Sequence, residues 1–192
     1  MKRMSAKRTF LLSLAGYMTA ILVIAVLGYS FGSGDSSTIR PDEAASRLRE
    51  FHQNAFHNTR FILLHNLAVG LRLLAFQLLP LFGMIVASGN LGLALGLLIK
   101  SVTVGSSLPR ISVLMLVLPH GIPEYLGFIL MQNSVTNLYL VCFLRMFNIR
   151  VEFKQAGLLS SASLIAGTAL VIIAAVIEGY LTPAIAERLL RP

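Results

Sequence analysis

The sequence predicts an all-α polytopic membrane protein, a transmembrane helix bundle of about five or six spans, one of them broken at a Pro-His-Gly motif. Three observations predict it. Apolar residues fill 56% of the 192 positions and charged residues only 12%, about half the roughly 25% of a soluble domain. The mean hydropathy is +0.77. The apolar residues also fall in runs that approach or exceed the roughly 20 residues a helix needs to cross a bilayer. A soluble globule of this size has too little interior to hide so much apolar surface. Disorder requires the reverse composition, low hydrophobicity with dense charge.

Lys2, Arg3, Lys7 and Arg8 precede an uncharged stretch from Phe10 to Phe31. Those 22 residues span about 33 Å as a helix. A cleavable signal has an apolar region of roughly 7–15 residues followed by a small-residue cleavage site, and Ser30-Phe31-Gly32 is a poor one. Residues 10–31 are therefore expected to be a retained signal anchor, with the basic residues 1–9 in the cytoplasm. The polar segment 32–60 then lies outside. It opens on a Gly-Ser-Gly-Asp-Ser-Ser-Thr linker, after which Pro41, Asp42 and Glu43 suit the first turn of a helix. Ala44, Leu48, Phe51 and Ala55 recur at helical spacing, so this helix is amphipathic and suited to lie on the membrane surface.

Residues 61–183 form the transmembrane core. A second apolar stretch runs from Phe61 to Val86, interrupted by His65, Asn66, Arg72 and Gln77. Ser88-Gly89-Asn90 reads as a turn, and Leu91–Val104 as a third segment of only about 21 Å. Ile111–Gln132 is long enough to span, but Pro119, Gly121 and Pro123 are expected to break it. Val135–Phe147 is short, which suits a re-entrant or interfacial element. Arg145, Arg150 and Lys154 mark a cytoplasmic loop, and Leu158–Leu181 is the last span, ended by Pro183 before the tail 184–192. An even number of crossings must separate the N-terminus from the basic loop, which favours five spans. Counting Val135–Phe147 as a crossing gives six.

The net charge of +8 does not indicate nucleic acid, because the basic residues flank apolar stretches and form no patch with interleaved aromatics. The single cysteine, Cys142, excludes a disulfide framework within one chain. Gly92-Leu-Ala-Leu-Gly96 has the spacing of a close-packing motif that invites a homodimer.

Ionisable groups inside apolar spans are costly and need a partner or a task. His65 and Arg72 share one helical face, with Asn66 beside it. If a helix restarts at the break, His120 and Glu124 are i and i+4 and project together. Glu178 lies near the end of the last span, with Thr182 one turn on. These groups admit three readings. They pair with one another as packing glue, Arg72 with Glu124 or Glu178 and His120 with a carbonyl freed by the prolines. Alternatively, His120, Glu124 and Glu178, with His65, converge on a divalent metal, for which zinc suits the ligand types. The third reading is a proton or ion pathway.

Leu118-Pro119-His120-Gly121-Ile122 followed by Glu124, together with Ile177-Glu178 and Thr182-Pro183, resembles the stage II sporulation protein M family. Phe61 and Asn66 look like the family's entry to the second span, whereas the turn near Gly89 departs from the pattern, with Ser88 at an asparagine position. The resemblance implies an integral membrane protein without established catalysis. The family's namesake anchors the peptidoglycan-degrading sporulation proteins D and P, and the resemblance implies a scaffold for envelope (peptidoglycan-remodelling) partners. It also groups His120, Glu124 and Glu178, which occupy its two best motifs. Beside a scaffold that positions envelope-remodelling partners stand two other classes, an intramembrane metal-dependent hydrolase and a transporter. The hydrolase needs an open metal position reached by water, and the transporter needs a through-going polar path.

Overall fold

A computed structural model of the protein describes residues 3–31, 54–77, 79, 82–100 and 110–189. The amphipathic helix expected between Pro41 and Ala55 falls almost wholly outside them. The elements are a short strand β1 (Arg3–Met4), then α1 (Ala6–Phe31), α2 (Ala55–Phe76), α3 (Phe82–Lys100), α4 (Arg110–Met146), β2 (Arg150–Val151) and α5 (Phe153–Val176). A π-helical turn (Ile177–Leu181) then joins α5 to α6 (Thr182–Leu189). Among the described residues five helical stretches are long and apolar enough to cross a membrane, the last running through the π turn. The protein is an all-α transmembrane bundle of five spans.

The helices meet where side chains are smallest. Gly92 and Gly96 of α3 face α1, and a Cβ on Gly92 would stand 2.8 Å from the Ile21 carbonyl. On Gly96 it would run into the Ala25 carbonyl. The glycine pair read as a dimer motif is thus used inside the chain, bringing α1 and α3 side by side in parallel. α4 and α5 cross in the antiparallel sense at Gly127 and Gly167, each lying against the other's carbonyl. Around these contacts Tyr17, Ile21, Leu73, Leu91, Phe128, Ile129, Met131 and Val171 close into the core. Outward-facing apolar residues such as Val26, Leu71, Ile85 and Ile165 stay exposed, as lipid contact requires.

Five local expectations are corrected. Ser88-Gly89-Asn90 is no turn but the middle of α3. The Ser88 hydroxyl donates to the Met84 carbonyl at 2.7 Å and the Asn90 amide to the Val86 carbonyl at 2.9 Å. Turn-prone side chains that bond back four residues are accommodated in a helix. The third span is therefore Phe82–Lys100, about 28 Å long.

Pro119 and Pro123 do not break α4, which continues for 37 residues. Set four apart, they withdraw two N–H groups from adjacent turns and free only the Met115 and Pro119 carbonyls. Stopping the helix in lipid would strand many more backbone groups. Val135–Phe147 is consequently not a separate element but the second half of α4. Nor does Pro183 end the last span: it sits in the first turn of α6, where its missing N–H is tolerated. The second span also begins at Ala55, six residues before Phe61.

α4 ends at a left-handed residue, Asn148 with φ of 58°. Its N–H reaches the Arg145 carbonyl at 3.0 Å, and the Ile149 N–H reaches that of Leu144 at 3.0 Å. This is the Schellman closure, with asparagine in the position glycine usually takes. It turns the chain so that Arg150–Val151 pairs in parallel with Arg3–Met4. Ala6, Val141, Val151 and Ala156 pack beneath that pairing. The N-terminal residues and the basic loop therefore share one end of the bundle, as five spans require.

Candidate functional site

The two sequence motifs meet in space. His120 and Glu124 lie one turn apart on α4, both half-buried, and the π turn brings Glu178 and Thr182 against them. The His120 Nδ1 and Thr182 Oγ1 are 3.2 Å apart. The Thr182 hydroxyl also lies 3.5 Å from the Ile177 carbonyl, which takes the Thr182 backbone N–H as well. With the hydroxyl donating to that carbonyl, its oxygen accepts from His120 Nδ1–H, and Nε2 is left as the free acceptor.

Glu178 is close enough to Glu124 for the two like charges to act on each other. Gly179 is buried, and a side chain there would strike Thr59, so the start of α2 packs directly on the π turn. Such turns, with one extra residue in the ring, recur at functional positions. Here the turn faces a threonine toward the histidine.

Other expected members are not gathered. His65 is exposed and stacks on Phe61, ring centroids 6.5 Å apart at 18°. Asn66, the next residue of α2, is buried, and its Nδ2 has no partner. Arg72 is exposed and lines a cleft of about 380 Å³ between α2, α3 and α4, with Asn90, Glu124 and Tyr125. Among the described residues no ion pair joins it to Glu124 or Glu178. Gly121 has room for a side chain, and Pro183 is buried at the head of α6. His120, Glu124 and Glu178 are the side chains a metal would draw on. Among the described residues, though, no three of His, Cys, Asp or Glu are grouped as such an ion requires.

Sequence reasoning missed a second polar layer. Gln77, Gln132, Asn133 and Asn137 are all fully buried. Ser13 of α1 donates to Asn133 Oδ1 at 2.7 Å. Asn137 donates to Ser160 of α5 at 2.9 Å, and Ser163 donates to the Leu130 carbonyl at 2.8 Å. Gln77, capping α2, reaches Thr136 at 3.4 Å and accepts on its carbonyl from the Tyr139 hydroxyl. α4 is thereby tied to α1, α2 and α5 in turn. Both polar atoms of the Gln132 side chain, Gln77 Oε1, Asn133 Nδ2 and Asn137 Oδ1 remain unpartnered. The signal was the run Gln132-Asn133-Ser134-Val135-Thr136-Asn137, which fits a loop by composition and a bundle interior by depth.

Five apolar spans locked by intramembrane polar contacts define a polytopic α-helical membrane protein. The chain belongs to the Stage II sporulation protein M family, which it matches over residues 9–183. No curated protein and no solved structure matches it.

The His120–Thr182 contact is directly testable. His120→Ala and Thr182→Val are each expected to lower the melting temperature in detergent, and the double variant to lose less than the sum. The coupling should be about 0.6 kcal/mol, with about 1.7 as its upper range, as for interhelical hydrogen bonds in membranes. Strict additivity would show that the two groups do not interact.

Proposed function

We propose that the protein is a membrane scaffold that positions cell-envelope-remodelling partners. The observation that carries this reading is the use of the two motifs. His120 of the Pro-His-Gly element is engaged by Thr182 of the Thr-Pro element, so the polar cluster joins α4 to the last span. The surface offered to partners in this reading is the outer segment 32–60 together with exposed helix faces. The opposite end gathers Arg3, Lys7, Arg8, Arg145, Arg150 and Lys154 through the β1–β2 pairing, which supports a cytoplasmic N-terminus. Against a transport path stands the apolar cluster. Phe128, Ile129 and Met131 lie on α4 between Glu124 and Gln132, packed with Leu91 and Ile21.

The test is localisation in the native host. Deleting the protein should disperse fluorescently tagged peptidoglycan hydrolases from their membrane foci. The wild-type chain should restore them, and a chain lacking residues 32–53 that still reaches the membrane should not. Foci that persist without the protein overturn the scaffold. Metal analysis of chelator-free protein addresses the cluster separately. Stoichiometric zinc lost in both His120→Ala and Glu124→Ala would make the joint a metal staple and bring forward the hydrolase reading.

A further inference from the structure

The cleft between α2, α3 and α4 holds two opposite charges that do not neutralise each other. Arg72 and Glu124 both line it, with Asn90 and Tyr125, over a floor of Val69, Leu73, Phe76, Leu91, Ala94 and Phe128. Unpaired charges within a span are expensive, and among the described residues no ion pair joins Arg72 to Glu124. The cleft therefore lacks a cation beside Glu124 and an anion beside Arg72. Its volume of about 380 Å³ lies within the roughly 300–1,000 Å³ of small-molecule sites.

The hydrogen-bonding inventory narrows the occupant. The Asn90 amide nitrogen is committed to the Val86 carbonyl at 2.9 Å, which leaves its carbonyl oxygen as an acceptor. With the Glu124 carboxylate this makes an acceptor set, which selects a cation bearing N–H groups over a quaternary one. Arg72 presents the planar fork that matches a phosphate. It lies one turn from the end of α2 and is exposed beside Leu71 and Phe76, which are also exposed, so the mouth of the cleft faces acyl chains.

We propose that this cleft binds the headgroup of a zwitterionic phospholipid with a primary amine. Its phosphate rests on Arg72, its ammonium lies between Glu124 and the Asn90 carbonyl, and an acyl chain runs along the apolar floor. An anionic lipid would leave Glu124 unmatched, and a choline headgroup would leave both acceptors without a donor.

Native mass spectrometry of the detergent-purified full chain, offered equimolar phosphatidylethanolamine, phosphatidylcholine and phosphatidylglycerol, tests this. One ethanolamine lipid per chain should be retained in preference to the other two. Arg72→Gln and Asn90→Leu should each lower that retention by about tenfold or more, the loss implied by removing a hydrogen bond to a charged group. Both side chains are exposed, so these variants should keep the lipid-free melting temperature of the wild type. Glu124→Gln should reduce the preference of the amine lipid over choline. Equal retention of the three lipids, or unchanged retention in Arg72→Gln, overturns the proposal. Neither result bears on the scaffold reading.

Discussion

Leucine in place of Gly167 is expected to abolish folding: the protein should aggregate on extraction from the membrane. A Cβ at this position would stand 2.8 Å from the Met131 backbone nitrogen, 2.8 Å from Met131 Cγ and 2.6 Å from the Gly127 carbonyl. Two of those three atoms are backbone, which no rotamer change can move. From the other side, a Cβ on Gly127 would meet the Gly167 carbonyl at 2.8 Å and the Val171 nitrogen at 3.1 Å. Overpacking a core costs about 1–3 kcal/mol when side chains can adjust. Here two spans must separate, so the cost should exceed that range and approach the roughly 5–15 kcal/mol that holds a domain folded. Separation would also break the Ser163–Leu130 and Asn137–Ser160 hydrogen bonds. Gly157, on the same helix with nothing within 4 Å of its Cβ position, is the control, and leucine there should be neutral. Size-exclusion profiles that match the wild type for Gly167→Leu would show that α4 and α5 do not cross at this point.

The outline of the bundle was legible because the bilayer imposes it. Runs such as Phe10–Phe31 and Leu158–Leu181 can only be helices in lipid. Boundaries were less legible where a side chain has two uses. Ser88 and Asn90 are turn formers in water, yet in α3 they bond back to Met84 and Val86. Pro119 and Pro123 stop helices in soluble proteins, where water can take the freed carbonyls. In lipid the same two residues cost less by staying inside a continuous α4. The separation of Val135–Phe147 had another cause: the polar run Gln132-Asn133-Ser134 fits a loop by composition, yet it lies inside the continuous α4.

The site was legible in its motifs and not in its geometry. Spacing sets His120 beside Glu124 and Thr182 one turn from Glu178, and the family resemblance groups His120, Glu124 and Glu178. Thr182 as the direct partner of His120 could not be read in this way, because its position depends on the π turn, which rotates the chain relative to a regular helix and has no composition of its own. His65 was drawn in by its type alone. A period of seven puts it on the same face as Arg72, yet His65 is exposed and stacks on Phe61, whereas Arg72 lines the cleft beside Glu124. The amide layer was lost for the opposite reason. Neutral polar residues carry no charge to flag their burial, although Gln132, Asn133 and Asn137 are fully enclosed.

Gln132→Leu is expected to raise the melting temperature in detergent, a result of opposite sign to most buried substitutions. The side chain is fully buried, and neither its Nε2 nor its Oε1 has a partner. A buried polar group left unsatisfied costs about 1–3 kcal/mol, whereas an apolar side chain of similar size carries no such penalty. For a chain of this length each kcal/mol corresponds to about 2–4 °C. The neighbouring Asn133→Leu should shift the other way, because Asn133 Oδ1 accepts the 2.7 Å bond from Ser13 that ties α4 to α1. Ser13→Ala on the Asn133→Leu background should then cost little more, since the shared bond is already gone. A fall in melting temperature for Gln132→Leu would carry a different physical meaning. It would require partners for both amide atoms, and at this depth those are trapped waters or a polar ligand. With the outer cluster around Glu124 on one side of Phe128 and a hydrated amide layer on the other, the apolar cluster would then act as a closed gate, and the bundle would read as a path for solute or protons.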